Sequence, residues 1–185
     1  MSYCNIDERG GELIGKGLRG NRNLQVFILK GNPIQGAIRE IASSFLQNKK
    51  ALCIKELDLS KCSIECNHVT REFLEMIKSP FTTIKTLSLR DNFIKTRSAE
   101  WIKDALKENK TITKIHIDYN PIKPNCLKQI MTLCKRNHQL DEINQKNKNI
   151  YELAQKKKKY KTQRAMLKNE INELKGKTDE TIFES

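Results

Sequence analysis

Four stretches of the sequence hold residue types that do chemistry. "GKGLRG", Gly15 to Gly20, fits the dinucleotide-binding pattern G-x-G-x-x-G. That pattern works only where a strand feeds a glycine turn that opens a helix, so that bare backbone N–H groups meet a pyrophosphate. Cys62, Cys66 and His68 are metal-type donors, but three ligands at irregular spacing, with no second pair close by, fall short of a tetrahedral zinc set. His116 sits in an alternating stretch, Lys114 to Asp118, and a histidine beside carboxylates is a candidate general base. "KKKKYK", Lys156 to Lys161, is a cationic run suited to an acidic partner.

The elements that position these residues decide among such readings. A chain of 185 residues holds one ordinary domain with an appendage, and 37% hydrophobic residues is thin for a globule, which points to an extended architecture. One Trp, four Tyr and six Phe argue against a large aromatic cofactor pocket, and no cofactor is expected. A formal charge of +13 favours nucleic acid, an anionic surface or a protein with acidic tails. "MSYCNIDERGG" has neither a basic n-region nor an apolar h-region, so no secretory signal is expected. No stretch approaches the roughly 18 apolar residues of a spanning helix, so no membrane embedding is expected. Six cysteines without a dense framework are read as thiols of a reducing compartment, which predicts cytoplasmic residence.

Overlaying the chain on itself reveals a period. Leu24-Gln-Val-Phe27-Ile-Leu29-Lys-Gly-Asn32-Pro-Ile34 recurs from Ile54 to Ile64, from Ile84 to Ile94 and from Ile112 to Ile122. The shared pattern is L-x-x-L-x-L-x-x-N/C-x-L, with its polar position at 32, 62, 92 and 120. Behind each copy runs an apolar stripe at helical spacing: Ile38, Ile41 and Phe45; Phe73, Leu74 and Ile77; Trp101, Ile102 and Leu106; Ile130, Leu133 and Cys134. Each unit therefore predicts a short strand followed by a helix. Asn67, Ser98 and Asn125 are the expected helix N-caps, and Pro80 the expected end of the second full helix.

These four copies resemble leucine-rich repeats of the ribonuclease-inhibitor type. The resemblance covers roughly residues 1–145 and implies an α/β solenoid with short parallel strands on a concave face and helices on the convex face. The Asn or Cys side chain of each copy is expected to bond backbone groups of its turn and of the neighbouring repeat. Cys62 is thereby assigned a structural position.

The same period absorbs the glycine motif. Shifting Gly10 to Leu24 by 88 residues lays Leu13, Ile14, Leu18 and Asn21 over Trp101, Ile102, Leu106 and Asn109, while Cys4 falls 28 residues before Asn32. "GKGLRG" is thus read as part of a helix in a partial first repeat, weakened by about 1 kcal/mol for each interior glycine and held by packing.

On the strands, alternation points Val26, Ile28, Glu56, Asp58, Ser88, Arg90, Lys114, His116 and Asp118 to the concave face. No nucleophile is placed with His116, so this face is read as a polar binding surface with an apolar spot at Val26 and Ile28. No catalytic residues are expected.

After Asn137 the composition turns to Lys, Asn, Gln and Glu. Leu140 to Ile143 is a candidate for one last strand, and beyond it a period of seven takes over. Ile143, Ile150, Lys157, Arg164 and Ile171 form one row; Lys146, Leu153, Tyr160, Leu167 and Leu174 form its companion. This predicts an amphipathic coiled-coil helix over 146–176, a stop at Gly176 and a loose tail over 177–185. Ile150, Leu153, Tyr160, Leu167, Ile171 and Leu174, with Lys156, Lys157, Lys158 and Lys159, are its candidate contacts. The cations in the two rows favour a heterotypic helical or acidic partner.

The combination predicts a non-enzymatic scaffold or adaptor of a large cytoskeletal assembly. Repeat-plus-coiled-coil proteins of this resemblance occur in ciliary axonemes, which implies tubulin or microtubule-bound proteins as partners. Two alternatives stay open from the same family resemblance. One is regulation of a small GTPase, as by Ran activators, although these carry an acidic tail where this one is basic; the other is regulation of actin filaments, as by tropomodulin-like proteins. A nucleic-acid-associated role for the lysine run is a third reading, not favoured because neither a stacking module nor a groove-reading motif is present.

Overall fold

In a computed structural model of the chain, describing residues 1–47 and 53–183 with side chains through 171, each L-x-x-L-x-L stretch forms a strand of three residues. β1 (Val26–Ile28), β2 (Glu56–Asp58), β3 (Thr86–Ser88) and β4 (Lys114–His116) lie in chain order in one parallel sheet. Glu56 pairs with Val26 on one side and Thr86 on the other, and Thr86 pairs with Lys114. The middle residue of each strand, Phe27, Leu57, Leu87 or Ile115, enters the core. Parallel neighbours need a crossover, supplied by α2 (Ile38–Gln47), α3 (Arg71–Lys78) and α4 (Thr96–Glu108). α1 (Glu8–Gly17) precedes the sheet and α5 (Pro124–Phe183) follows it. The chain divides into two units, Met1–Asp141 and Glu142–Ser185.

The first unit is an α/β leucine-rich-repeat solenoid. One continuous core runs along it, taking Leu29, Leu59, Leu89 and Ile117 from the sheet side and Ile41, Phe73, Ile77, Ile102, Leu106 and Ile130 from the helices. Each fully buried aliphatic or aromatic side chain contributes about 1.5–3 kcal/mol. Trp101 departs from its predicted stripe: it is 40% exposed, and the Arg97 guanidinium lies 5.5 Å from its ring centroid.

An asparagine ladder stitches the units together. Asn92 Oδ1 accepts from the N–H groups of Cys62 and Ile64, one repeat earlier, at 2.9 and 3.0 Å. Its Nδ2 donates to the carbonyls of Leu59 and Leu89, both at 2.9 Å. Asn32 repeats the arrangement with Cys4 and Ile6 as donors and Met1 and Leu29 as acceptors. Met1 therefore occupies the place of the last leucine of the pattern. The residue before each polar position turns left-handed: Tyr3, Gly31, Lys61, Asp91 and Tyr119 have φ of 54°, 73°, 55°, 56° and 57°. Gly31 alone among them adopts this conformation without Cβ strain.

The helix starts differ from the predicted caps. α3 begins after Thr70, whose hydroxyl accepts from Phe73 N at 3.5 Å, because Asn67 lies in a 3-10 turn, Cys66–His68. Ser98 is inside α4, where its hydroxyl bonds Cys66 O, and Asn125 is inside α5. α3 does end before Pro80, at Lys78.

The start of α5 closes the far end of the core. Cys126, Ile130, Cys134 and Asn137 are buried, and the Arg136 guanidinium donates to the carbonyls of Leu106, Lys107 and Asn109, capping α4. Leu140 to Ile143 is helical, not a strand: Asp141 pairs with Lys85 at 2.7 Å, and continuing the helix keeps its backbone bonds satisfied where no further strand follows. α5 also runs through Gly176 to Phe183. A single helical glycine costs about 1 kcal/mol, too little to stop a helix by itself.

Burial has a measurable consequence for pH. Loss of solvation pushes the Cys62 thiol from 9.0 up to about 12 and the Cys134 thiol up to about 11. The fold holds the neutral thiols, whereas the unfolded chain ionises above about pH 9. The stability they contribute is complete below that pH and is lost as pH rises, by roughly 2 kcal/mol for each group at pH 11. Urea unfolding at stepped alkaline pH should show this decline, and Cys62→Ala and Cys134→Ala should flatten it.

Candidate functional site

The glycine motif is not a phosphate loop. Gly15 and Gly17 lie in α1 and Gly20 in the turn after it, and no strand precedes them among the described residues. Asp7 caps the helix by accepting from Gly10 N at 2.8 Å. Asn21 Oδ1 accepts from Asn23 N and Leu24 N, as Asn109 Oδ1 does from Thr111 N and Ile112 N, so the 88-residue overlay holds at atomic detail.

The glycines serve helix packing. A Cβ on Gly15 would lie 2.9 Å from Ile41 N, and one on Gly11 would lie 2.7 Å from the Ala37 Cβ. Gly11 and Gly15, four residues apart on one helical face, therefore bring α1 against α2 and the turn before it. The spacing of Gly11 and Gly15 is legible in the sequence, outside the G-x-G-x-x-G pattern.

The Cys/His cluster is dispersed into structural tasks. Cys62 Sγ points to the carbonyls of Leu29 and Ser60, and His68 Nδ1 accepts from Glu65 N at 3.0 Å. Cys66 Sγ accepts from Lys95 N. Among the described residues no group of three His, Cys, Asp or Glu is placed to hold a metal ion.

The strand face gathers the predicted concave residues into ordered columns. Val26, Glu56, Thr86 and Lys114 form one, and Ile28, Asp58, Ser88 and His116 the next. Across β1 to β4 the face changes from apolar to acidic to neutral polar to basic. Val26, Glu56 and Lys114 are exposed, whereas Ile28, Asp58 and His116 are half-buried. Ser88 is buried, and its hydroxyl bonds Ser60 Oγ at 2.6 Å. The register sets Ser88 beside both Asp58 and His116, yet no hydrogen bond joins that hydroxyl to the imidazole among the described residues. Thr86 also belongs to this face, and the same alternation specifies it.

At the rim beyond the strands, Arg90 pairs with Asp118 at 3.0 Å and lies 4.5 Å from the Tyr119 ring centroid. Arg90 and Tyr119, with Tyr3, Lys30, Ser60, Lys61 and Asp91, line a cavity of about 300 Å³. Tyr3 and Tyr119 are 63% and 70% exposed. They reach the rim because the left-handed turn position recurs in every unit.

In the second unit, every described side chain from Glu142 to Ile171 is exposed. Ile150, Leu153, Tyr160, Leu167 and Ile171 are each at least half exposed and share one helical face by the seven-residue period. Lys156, Lys157, Lys158 and Lys159 are exposed beside them. The Leu174 side chain and residues 184–185 of the expected tail lie outside the described residues. Among the described residues no helix is long and apolar enough to cross a membrane.

Fold and surfaces together define a leucine-rich-repeat-like solenoid followed by a basic helix. No family model matches the chain, and no curated protein matches it. Among solved structures it is similar to a Caenorhabditis elegans tropomodulin C-terminal domain, at 13% identity and a TM-score of 0.50, covering 74% of this chain and 98% of that one. At that identity the likeness speaks for the fold.

Proposed function

We propose that this chain is a non-enzymatic protein-binding module that acts on cytoskeletal filaments, built from ribonuclease-inhibitor-type repeats to residue 145 and a basic coiled-coil segment over 146–176. The observation that carries the reading is the strand face. It presents a graded apolar-to-acidic-to-basic surface, while its one hydroxyl beside a histidine is bonded elsewhere. Such a surface recognises a partner by complementary charge and supplies no activated nucleophile.

Actin filaments are the first partner to test, because the fold likeness is to a tropomodulin domain and tropomodulin-like proteins cap actin filaments. The likeness lends nothing to the axonemal expectation. The whole chain should sediment with actin filaments or slow elongation from their ends, and Glu56→Lys with Lys114→Glu should weaken the effect about tenfold without unfolding the repeats. A chain that neither sediments nor alters elongation rules out the actin-filament reading. Stimulated GTP hydrolysis by a small GTPase would transfer the assignment to the alternative class.

A further inference from the structure

The exposed stripe of the second unit has one feature that narrows its occupant. With Ile143 as a core position a, Ile150, Lys157, Arg164 and Ile171 continue that row, and Lys146, Leu153, Tyr160 and Leu167 form row d. Over residues 143–171 the flanking positions e and g then hold Lys156, Lys161 and Lys168, with Glu170 the one carboxylate among them. From Leu153 to Lys168 the seam has five cations, Lys156, Lys157, Lys161, Arg164 and Lys168, and no carboxylate. The apolar members beside them remain open, Leu153 at 59% and Leu167 at 56%.

We propose that residues 143–171 pair with an acidic amphipathic helix of another protein in a two-stranded coiled coil, with that helix placing Glu or Asp against the five cations. The occupant follows from charge. A second copy in parallel register sets Lys157 against Lys157, Arg164 against Arg164 and Lys156 against Lys161. In either orientation it doubles the positive charge of the segment, and like charges across a seam specify against pairing. An acidic helix meets the same positions with opposite charge while Ile150, Leu153, Leu167 and Ile171 lose their contact with water. Bare nucleic acid would engage the lysines but leave that apolar row in water. The proposal rests on the reading of the chain as a protein-binding module, though on its helix and not on its strand face.

The test uses the full chain and a synthetic four-heptad helix with Ile and Leu in its core rows, Glu at e and g, and Glu opposite Lys157 and Arg164. A basic helix with Lys at those sites and polyuridine RNA are the comparison probes. Titration calorimetry should give one acidic helix per chain, bound at least about tenfold more tightly than the basic one. Lys157→Glu with Arg164→Glu should remove most of that preference. Leu153→Glu with Leu167→Glu should abolish binding and leave repeat unfolding unchanged, since both side chains are exposed. Three results overturn the idea: no preference for the acidic helix, RNA binding that survives Leu153→Glu with Leu167→Glu, or a stable dimer of the chain alone in sedimentation. None of these readouts involves filaments, so failure here is distinguishable from failure of the filament assignment.

Discussion

Asn92→Ala should cost about 3–5 kcal/mol, a large share of the 5–15 kcal/mol that stabilises an ordinary domain. Asn92 is 4% exposed, and its side chain satisfies two backbone donors and two backbone acceptors at 2.9–3.0 Å. Truncation leaves the Cys62 and Ile64 N–H groups without that acceptor, and an unmet buried polar group costs about 1–3 kcal/mol. Asn92→Cys, which copies the residue at position 62, should cost less than alanine by retaining a weak acceptor and some volume. Urea unfolding followed by circular dichroism measures both. A cost below about 1 kcal/mol for Asn92→Ala would show that the ladder is incidental to stability.

Gly15→Ala and Gly17→Ala should move stability in opposite directions, although both replace glycine by the best helix former in the same helix. At Gly15 the new methyl meets the backbone of α2, with Ile41 N at 2.9 Å and Glu40 C at 3.0 Å. Overpacking against backbone costs typically 1–3 kcal/mol, which outweighs the helix-propensity gain of up to about 1 kcal/mol. At Gly17 nothing lies within 4 Å of the added Cβ, so the gain stands alone. Thermal unfolding of the two variants decides the matter. Equal shifts would mean that α1 does not pack as described.

The repeat architecture was legible because its cause is local and periodic. Buried leucine rows and the polar position at 32, 62, 92 and 120 follow from residue type and interval alone, and they specify strands, crossovers and sheet order. The helix starts were less legible. Thr70 and Asn67 are both competent caps for α3, and the choice between them depends on a 3-10 turn at Cys66–His68 that no propensity anticipates. The strand face was readable from alternation, except that accessibility depends on neighbours: Ser88 is hidden by a hydrogen bond to Ser60, a residue of the preceding unit. That Gly11 and Gly15 make the packing contact was not legible, because their partner helix, α2, is distant in sequence. The rim, with Tyr3 and Tyr119 at its ends, required knowledge of backbone handedness at each turn.

Among the polar positions 32, 62, 92 and 120, the lone cysteine gives the array a parting plane. At position 62 the amide fork is replaced by a thiol that reaches Leu29 O only at 3.5 Å, where Asn92 holds Leu59 O at 2.9 Å. The Asn32 and Cys62 repeats are thus joined by fewer strong side-chain rungs than the Cys62 and Asn92 repeats. In a chain of nearest-neighbour units the weakest junction sets where cooperativity breaks. Under tension or slow heating, the solenoid should open at this joint, shedding the partial repeat and the Asn32 repeat together while Asn92 and Asn120 keep the remainder zipped.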